Sequence, residues 1–281
     1  MARILALSSW VAHGHVGLSA AAPVLQILGH TVTQLPTVQL SNHPGFPHVG
    51  GSTTEPEMLR AMVTALDENG WIDTVDAILT GYLPSPAHVD VAVDLIDRFQ
   101  VRQPRVIVDP ILGDDPGGLY TAQDAAEALR DRLLPRADVL TPNAFELSWL
   151  TGRATPTLDA AVEAARDLKT RTPAADVLVT SAPIESEQTG VLAVGPSGTR
   201  LFLAPRAAED RSVPRGVGDV FSALIAGGLP TGHALGLLHA LIDESLDAPH
   251  LAIAEAAADW TKAEPIPATV YAPLTSSGEA R

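Results

Sequence analysis

The sequence predicts an α/β fold, a mainly parallel central sheet with helices on both faces. Three observations predict it. Short apolar runs alternate with Ala/Leu-rich stretches of helical length along most of the chain, the order that brings successive strands into one parallel sheet covered on both sides. The runs end in polar residues: Ser8-Ser9, Ser41-Asn42-His43, Gly81-Tyr82, Asp109, Thr141-Pro142-Asn143 and Thr180. Ligands of such sheets gather at the carboxyl ends of the strands. No internal repeat or interdomain linker interrupts the 281 residues, so residues 1–281 read as one domain, with 240–281 its least patterned part.

The elements follow in order. Arg3 to Ser8 is the first strand and Gly14 to Leu28 the first helix. Thr31 to Gln39 is a strand, Glu55 to Asn69 a helix, and Ala77 to Thr80 a short strand. Pro86 to Phe99 is helical, Arg105 to Val108 a strand, and Thr121 to Leu134 helical. Val139 to Thr141 is a strand, a helix starts at Pro142-Asn143, and Leu158 to Thr170 is helical before a strand over Val177 to Thr180. The pattern then changes. Gly190 to Val194 and Thr199 to Ala204 flank Pro196-Ser197-Gly198, a β-hairpin. The Arg215-Gly216-Val217-Gly218-Asp219 loop opens an apolar helix, and a helical C-terminal third closes the chain.

Composition removes several function classes. The chain carries 18 Lys and Arg against 33 Asp and Glu, a net charge of −15, with no basic tract. Neither nucleic acid nor an anionic membrane surface suits that balance. Cysteine is absent, which removes disulfides, thiolate metal sites and a Cys nucleophile. Ile4 to Leu7 is too short for a signal-peptide core, and no stretch approaches the ~20 apolar residues of a membrane span. A soluble cytoplasmic protein is the expectation.

The candidate chemistry lies at the strand ends. No G-x-x-x-x-G-K-[ST] occurs, and Gly14-His15-Val16-Gly17 gives G-x-x-G, not the dinucleotide fingerprint. His13 and His15 lack a carboxylate-rich partner at zinc-ligand spacing and read as loop histidines near a ligand. Asp109 stands at a strand end before Pro110, with Asp114 following; an Asp there is either a turn former or a functional carboxylate. Asn143 and Glu146 are three apart at a helix start, which suits either a helix cap or oxygen groups near a Mg²⁺-bound polyphosphate. Gly216-Val217-Gly218-Asp219 is either a plain cap or an anion site with a base beside it. In the second reading the helix dipole favours an ionised Asp219.

Six motifs together carry a resemblance: SSWVAHGHVGLSAA at 8–22, TVQLSNHPGF at 37–46, TGYL at 80–83, VDPILGD at 108–114, TPNAFEL at 141–147 and RGVGDVFSALIAG at 215–227. In this order and spacing the chain resembles the pyridoxal kinases of the ribokinase superfamily. The likeness spans the chain up to about residue 228 and implies a ribokinase-like, three-layer α/β/α fold. QLSNH together with TGYL is its more specific part.

The resemblance implies a set of roles. Asp219 would take the proton of the substrate's hydroxymethyl group, and the amides of Gly216, Val217 and Gly218 would hold the transferring phosphoryl group. Ser9, Val16, Leu40, His43, Pro44, Gly45 and Tyr82 would line the pyridoxal site. Asp109, Thr141, Asn143, Glu146 and Thr180, with Ala204, Pro205, Arg206 and Ala207 on the adenine side, would bind ATP. Asp109, Asp114 and Glu146 would serve Mg²⁺, with a monovalent cation as an accompanying ion. A homodimer is implied as well. The chain departs from such kinases at Pro44, usually Thr, at Trp10, commonly His, at Val217, often Thr, and at Thr180, which is Lys in one subfamily. Two alternatives stand beside pyridoxal kinase: a kinase for hydroxymethylpyrimidine or another small alcohol, and a vitamin B6 binder without turnover. The cysteine that some dual-specificity relatives set against the pyridoxal aldehyde is absent.

Overall fold

The structure, a computed structural model, describes residues 1–99, 103–184 and 187–272. The strands are β1 Arg3–Val11, β2 Thr31–Leu40, β3 Gly51–Thr53, β4 Ala77–Thr80, β5 Arg105–Val108, β6 Gly113–Asp114, β7 Gly118–Leu119, β8 Val139–Leu140, β9 Asp176–Thr180, β10 Gln188–Gly195, β11 Gly198–Pro205 and β12 Ala268–Val270. The helices are α1 Leu18–Ile27, α2 Pro56–Glu68, α3 Pro86–Arg98, α4 Gln123–Ala128, α5 Ala144–Thr151, α6 Leu158–Arg171, α7 Val217–Ala226, α8 Thr231–Asp243 and α9 Ala257–Trp260.

Ten strands form one sheet in the order β12-β11-β10-β9-β8-β5-β4-β1-β2-β3. The run from β9 to β2 is parallel. Antiparallel strands close both sides: β10, β11 and β12 beyond β9, and β3 beside β2. β6 and β7 make a separate small hairpin.

Alternate residues of each strand feed two cores. Leu5, Leu7, Ile78, Val106, Val108, Leu140, Val177 and Val179 pack with α2, α3, α5 and α6. Ile4, Ala6, Leu79, Ile107, Val139 and Leu178 pack with α1, α7 and α8. This period of two, buried on both faces, is what a parallel sheet between helical layers requires. Leu251, Ile253 and Trp260 belong to the second core, and Trp260 Nε1 donates to the Ile253 carbonyl at 2.8 Å.

Several boundaries differ from the expected ones. The first helix begins at Leu18, not Gly14, because Gly14 and Gly17 hold φ of 90° and 56°. The helix expected over 121–134 is α-helical only to Ala128. It then widens into a π turn over Leu129–Leu133 and tightens into a 3₁₀ turn over Leu134–Arg136, where Pro135 removes a backbone donor. The C-terminal third is only partly helical: turns follow α8, and β12 pairs with β11. β3 has no apolar residue to announce it.

Candidate active site

The N-terminus of α7 meets the loop between β1 and α1 at two glycines. Gly216 caps α7 with φ 98°, and a Cβ there would lie 1.9 Å from the His15 carbonyl oxygen. Gly17 is equally obligatory, since its Cβ would lie 2.2 Å from the Ser9 carbonyl oxygen. Gly218 has open space where a Cβ would be, so its value is an unshielded first-turn amide. Asp219 follows in the same turn and accepts the Gly17 N–H. Burial pushes its carboxyl up to about 6, against the pull of that hydrogen bond. The helix dipole that favours ionisation is therefore not the dominant influence on Asp219. Desolvation outweighs the dipole, although Asp219 stays mainly ionised at neutral pH.

Asp109 is buried at the end of β5. Ser222 Oγ, one turn after Asp219 on α7, donates to Asp109 Oδ2 at 2.8 Å and lies 2.8 Å from Thr141 Oγ1. Burial, then the charges of Glu146 and Asp219, hold the Asp109 carboxyl well above the usual carboxylate range.

Asn143 and Glu146 form a complete capping box at the start of α5. Asn143 Oδ1 accepts the Glu146 N–H at 2.9 Å, and Glu146 Oε2 accepts the Asn143 N–H at 2.8 Å. Glu146 does more than cap. Its Oε1 accepts the Leu112 N–H at 2.9 Å, and it also takes the Gly113 N–H, so it pins the β5–β6 loop. Asn143 Nδ2 donates to the Gly113 carbonyl at 2.9 Å. Burial raises the Glu146 carboxyl to about 7. Thr180 sits beside Asn143 through a parallel bridge, its N–H on the Pro142 carbonyl at 2.9 Å.

Among the described residues, no three Asp, Glu or His side chains converge to hold a metal ion directly. Asp114 is exposed on β6, and its charge reaches Glu146 and His43. The donor set nonetheless fits a divalent cation held largely through water and phosphate oxygens. The charges of Glu146 and Asp219 raise Asp109, among the described residues no lysine or arginine is hydrogen-bonded to these three carboxyls, and the same carboxylates, with Asp114, push the Tyr120 phenol up after partial burial does.

The substrate side is built differently. Ser9 occupies a bulge where the β1–β2 register shifts between Ser8 and Trp10. Its neighbour Ser8 is the buried one, and its Oγ accepts the Tyr82 N–H at 3.1 Å. Thr37 Oγ1 donates to the Tyr82 carbonyl at 2.7 Å. Ser8, Gly17, Gly81, Asp109, Asp219 and Ser222 line a cavity of about 10 Å³, room for about one water. Val16, Leu40, His43 and Tyr82 are half-buried, whereas Pro44 and Gly45 are exposed. His43 Nδ1 accepts the Gly45 N–H at 2.9 Å.

On the far rim, Ala204 is buried in β11 and Pro205 and Arg206 are exposed. The Arg206 N–H donates to the Glu187 carbonyl at 2.8 Å, which ties this rim to the start of β10. Ala207 is half-buried beyond it.

The structure thus gathers Asp109, Thr141, Asn143, Glu146, Thr180 and Asp219 along one edge of the sheet and leaves Asp114 at the mouth. Ser8 and Ser222 are contacts to which sequence reasoning gave no role. Ser222 had a readable signal, a hydroxyl one turn from Asp219 on an otherwise apolar helix.

Comparison with known proteins agrees with this geometry. The family model described as phosphomethylpyrimidine kinase matches residues 29–240. A pyridoxal kinase from Leifsonia xyli subsp. xyli is 38% identical over 230 residues, covering 79% of each chain. The crystal structure of pyridoxal kinase from Entamoeba histolytica superposes with a TM-score of 0.86 at 26% identity, covering 95% of this chain and 99% of that one. The pyridoxal kinase of Leishmania donovani in complex with ADP and pyridoxamine superposes with a TM-score of 0.85 at 28% identity, covering 95% and 98%.

Proposed function

We infer that this chain, which belongs to the pyridoxal kinase family of the ribokinase superfamily, transfers the γ-phosphoryl group of ATP to the hydroxymethyl group of pyridoxal. The observation that carries the reading is Asp219, set in the first turn of α7 beside three small-residue amides and across from the buried Asp109.

In this reading the hydroxymethyl oxygen attacks the γ-phosphorus while its proton passes to an Asp219 carboxylate oxygen. The bond from the γ-phosphorus to the β,γ-bridging oxygen breaks, and ADP leaves with the electron pair. The amides of Gly216, Val217 and Gly218 face the charge that spreads over the phosphoryl oxygens, where fixed dipoles stabilise a loose transition state without reorganisation. Ser222 and Thr141 fix the Asp109 carboxylate, and Glu146 fixes the loop beneath it. Mg²⁺, held near Asp109 and Glu146 through water, would neutralise polyphosphate charge. Ser9, Val16, Leu40, His43, Pro44, Gly45 and Tyr82 would surround the pyridine ring, and the 204–207 rim the adenine. The proposal extends to a cytoplasmic homodimer with one kinase domain over 1–281. The homodimer is carried over from the resemblance alone, and sedimentation equilibrium reads it directly.

The test is a substrate panel. Purified protein with ATP and Mg²⁺ is expected to convert pyridoxal, pyridoxine and pyridoxamine to their 5′-phosphates with release of ADP. No ADP release with any of them ends the reading. The phosphomethylpyrimidine kinase family match gives the second reading its standing, and hydroxymethylpyrimidine turnover above pyridoxal turnover would decide for it.

A further inference from the structure

We propose that Arg215 is a phosphoryl-binding residue of this enzyme, a guanidinium that reaches from the anion loop to the substrate loop and contacts the group being transferred and the 5′-phosphate of the product. The proposal rests on the kinase reading above.

Arg215 immediately precedes Gly216, the cap of α7. Its side chain leaves that loop and lies against residues 43–45: a Cβ built on Gly45 would be 3.1 Å from Arg215 Nη2 and 3.2 Å from its Cζ. A side chain at Gly45 would crowd the guanidinium by a few tenths of an ångström. The cation therefore spans the two walls that the reaction brings together, the amides that face the phosphoryl group and the loop beside the substrate.

Two features give it an open valence. Among the described residues no carboxylate pairs with Arg215, whereas Arg211, four residues earlier, is paired with Asp247. The facing loop offers no free backbone N–H at residues 44 and 45 and no cation of its own, only the neutral Nε2–H of His43. Pro44 has no N–H, and the Gly45 N–H is engaged by His43 Nδ1. That bond makes Nδ1 an acceptor and the imidazole neutral, and burial followed by the Arg215 charge lowers the His43 pKa. The positive charge on this wall is therefore Arg215. A guanidinium offers paired donors that match phosphate oxygens, and charge on a transferring phosphoryl group is where such a contact acts.

The test separates phosphate from ring. Wild type, Arg215→Ala, Arg215→Gln and Arg215→Lys are titrated calorimetrically with pyridoxine and pyridoxine 5′-phosphate, a pair without an aldehyde that could condense with lysine. In Arg215→Ala and Arg215→Gln, affinity for the 5′-phosphate is expected to fall about tenfold and kcat about 10–100-fold, with pyridoxine affinity within about twofold. Arg215→Lys is expected to recover part of both losses. Equal losses for the two ligands would make Arg215 a ring contact or a loop brace and overturn the proposal, as would unchanged 5′-phosphate affinity. Wild-type protein that turns over no vitamer ends the kinase reading and this one together. An active wild type with an unaffected Arg215→Ala ends this one alone.

Discussion

The acidic centre at the ends of β5 and β8 and the loop over residues 41–50 face the same cleft and are built in opposite ways. Asp109, Thr141, Glu146 and Ser222 are buried, and each is held by bonds from distant parts of the chain. The loop is mostly exposed, and its side-chain bonds are local: Ser41 Oγ to Asn42, Asn42 Nδ2 to the His43 and His48 carbonyls, and the Gly50 N–H to Ser41 Oγ. The difference teaches where preorganisation resides. The buried acidic groups are locked by the core, the arrangement that catalysis on developing charge would need. The 41–50 loop is held mostly by its own short-range bonds, with the His13 N–H on the Ser41 carbonyl at 2.9 Å tying it to the β1–α1 loop.

If the acidic side carries the chemistry, the largest effect belongs to Asp219→Asn. The substitution is expected to lower kcat by about 10²–10⁴ while leaving ADP affinity within a few-fold, read by steady-state kinetics and calorimetry. Retained turnover would move the base elsewhere. Next is Glu146→Ala, which leaves the N–H groups of Leu112, Gly113 and Asn143 without their acceptor. Urea unfolding is expected to show a loss of about 2–4 kcal/mol. A loss below about 1 kcal/mol would mean that the capping box and pinned loop are weakly coupled to the fold.

Two pH effects follow from the same side. The folded-state pKa values of Asp109, Glu146 and Asp219 are raised above their unfolded values. The folded protein therefore holds protons that the unfolded chain releases. Ligand-free stability falls as pH rises from the ordinary carboxylate range through the Glu146 value of about 7. Tm is expected to drop across that window and to recover in part when Mg²⁺ and ADP are added. A flat Tm would contradict the uncompensated cluster. In kinetics, kcat/KM is expected to decline as Asp219 is protonated below about 6, with that limb displaced to lower pH where bound cation favours the carboxylate.

The smallest effect sharpens the comparison from the other side. Pro44→Thr, at an exposed position of the local loop, is expected to change the KM for pyridoxal by less than about threefold and leave Tm unchanged. A tenfold change would show that the loop is as tightly specified as the acidic centre.

Much of this organisation was legible in the sequence because its signals are local. Ala77–Thr80 and Arg105–Val108 are the predicted strands to the residue, each a short apolar run stopped by polar residues. Asn143 and Glu146 announced the α5 cap by spacing alone, and Gly216-Val217-Gly218-Asp219 announced the start of α7. Elements without a local signal were not legible. β3 is Gly-Ser-Thr, and β12 exists because β11 offers it an edge. The C-terminal segment, which carries no motif, fills the second core through Leu251, Ile253 and Trp260.

The sequence by itself determined the parallel α/β class, the polar strand ends and the glycine loop that opens α7, since hydrophobic period, turn residues and caps act within a few neighbours. Tertiary structure alone decided which polar residues meet. Ser222 reaches Asp109 across 113 positions and Thr141 across 81, and Arg215 comes to rest on Gly45. It also decided that Asp219 is a raised carboxyl, because desolvation depends on what surrounds a group in space, and no local pattern encodes that.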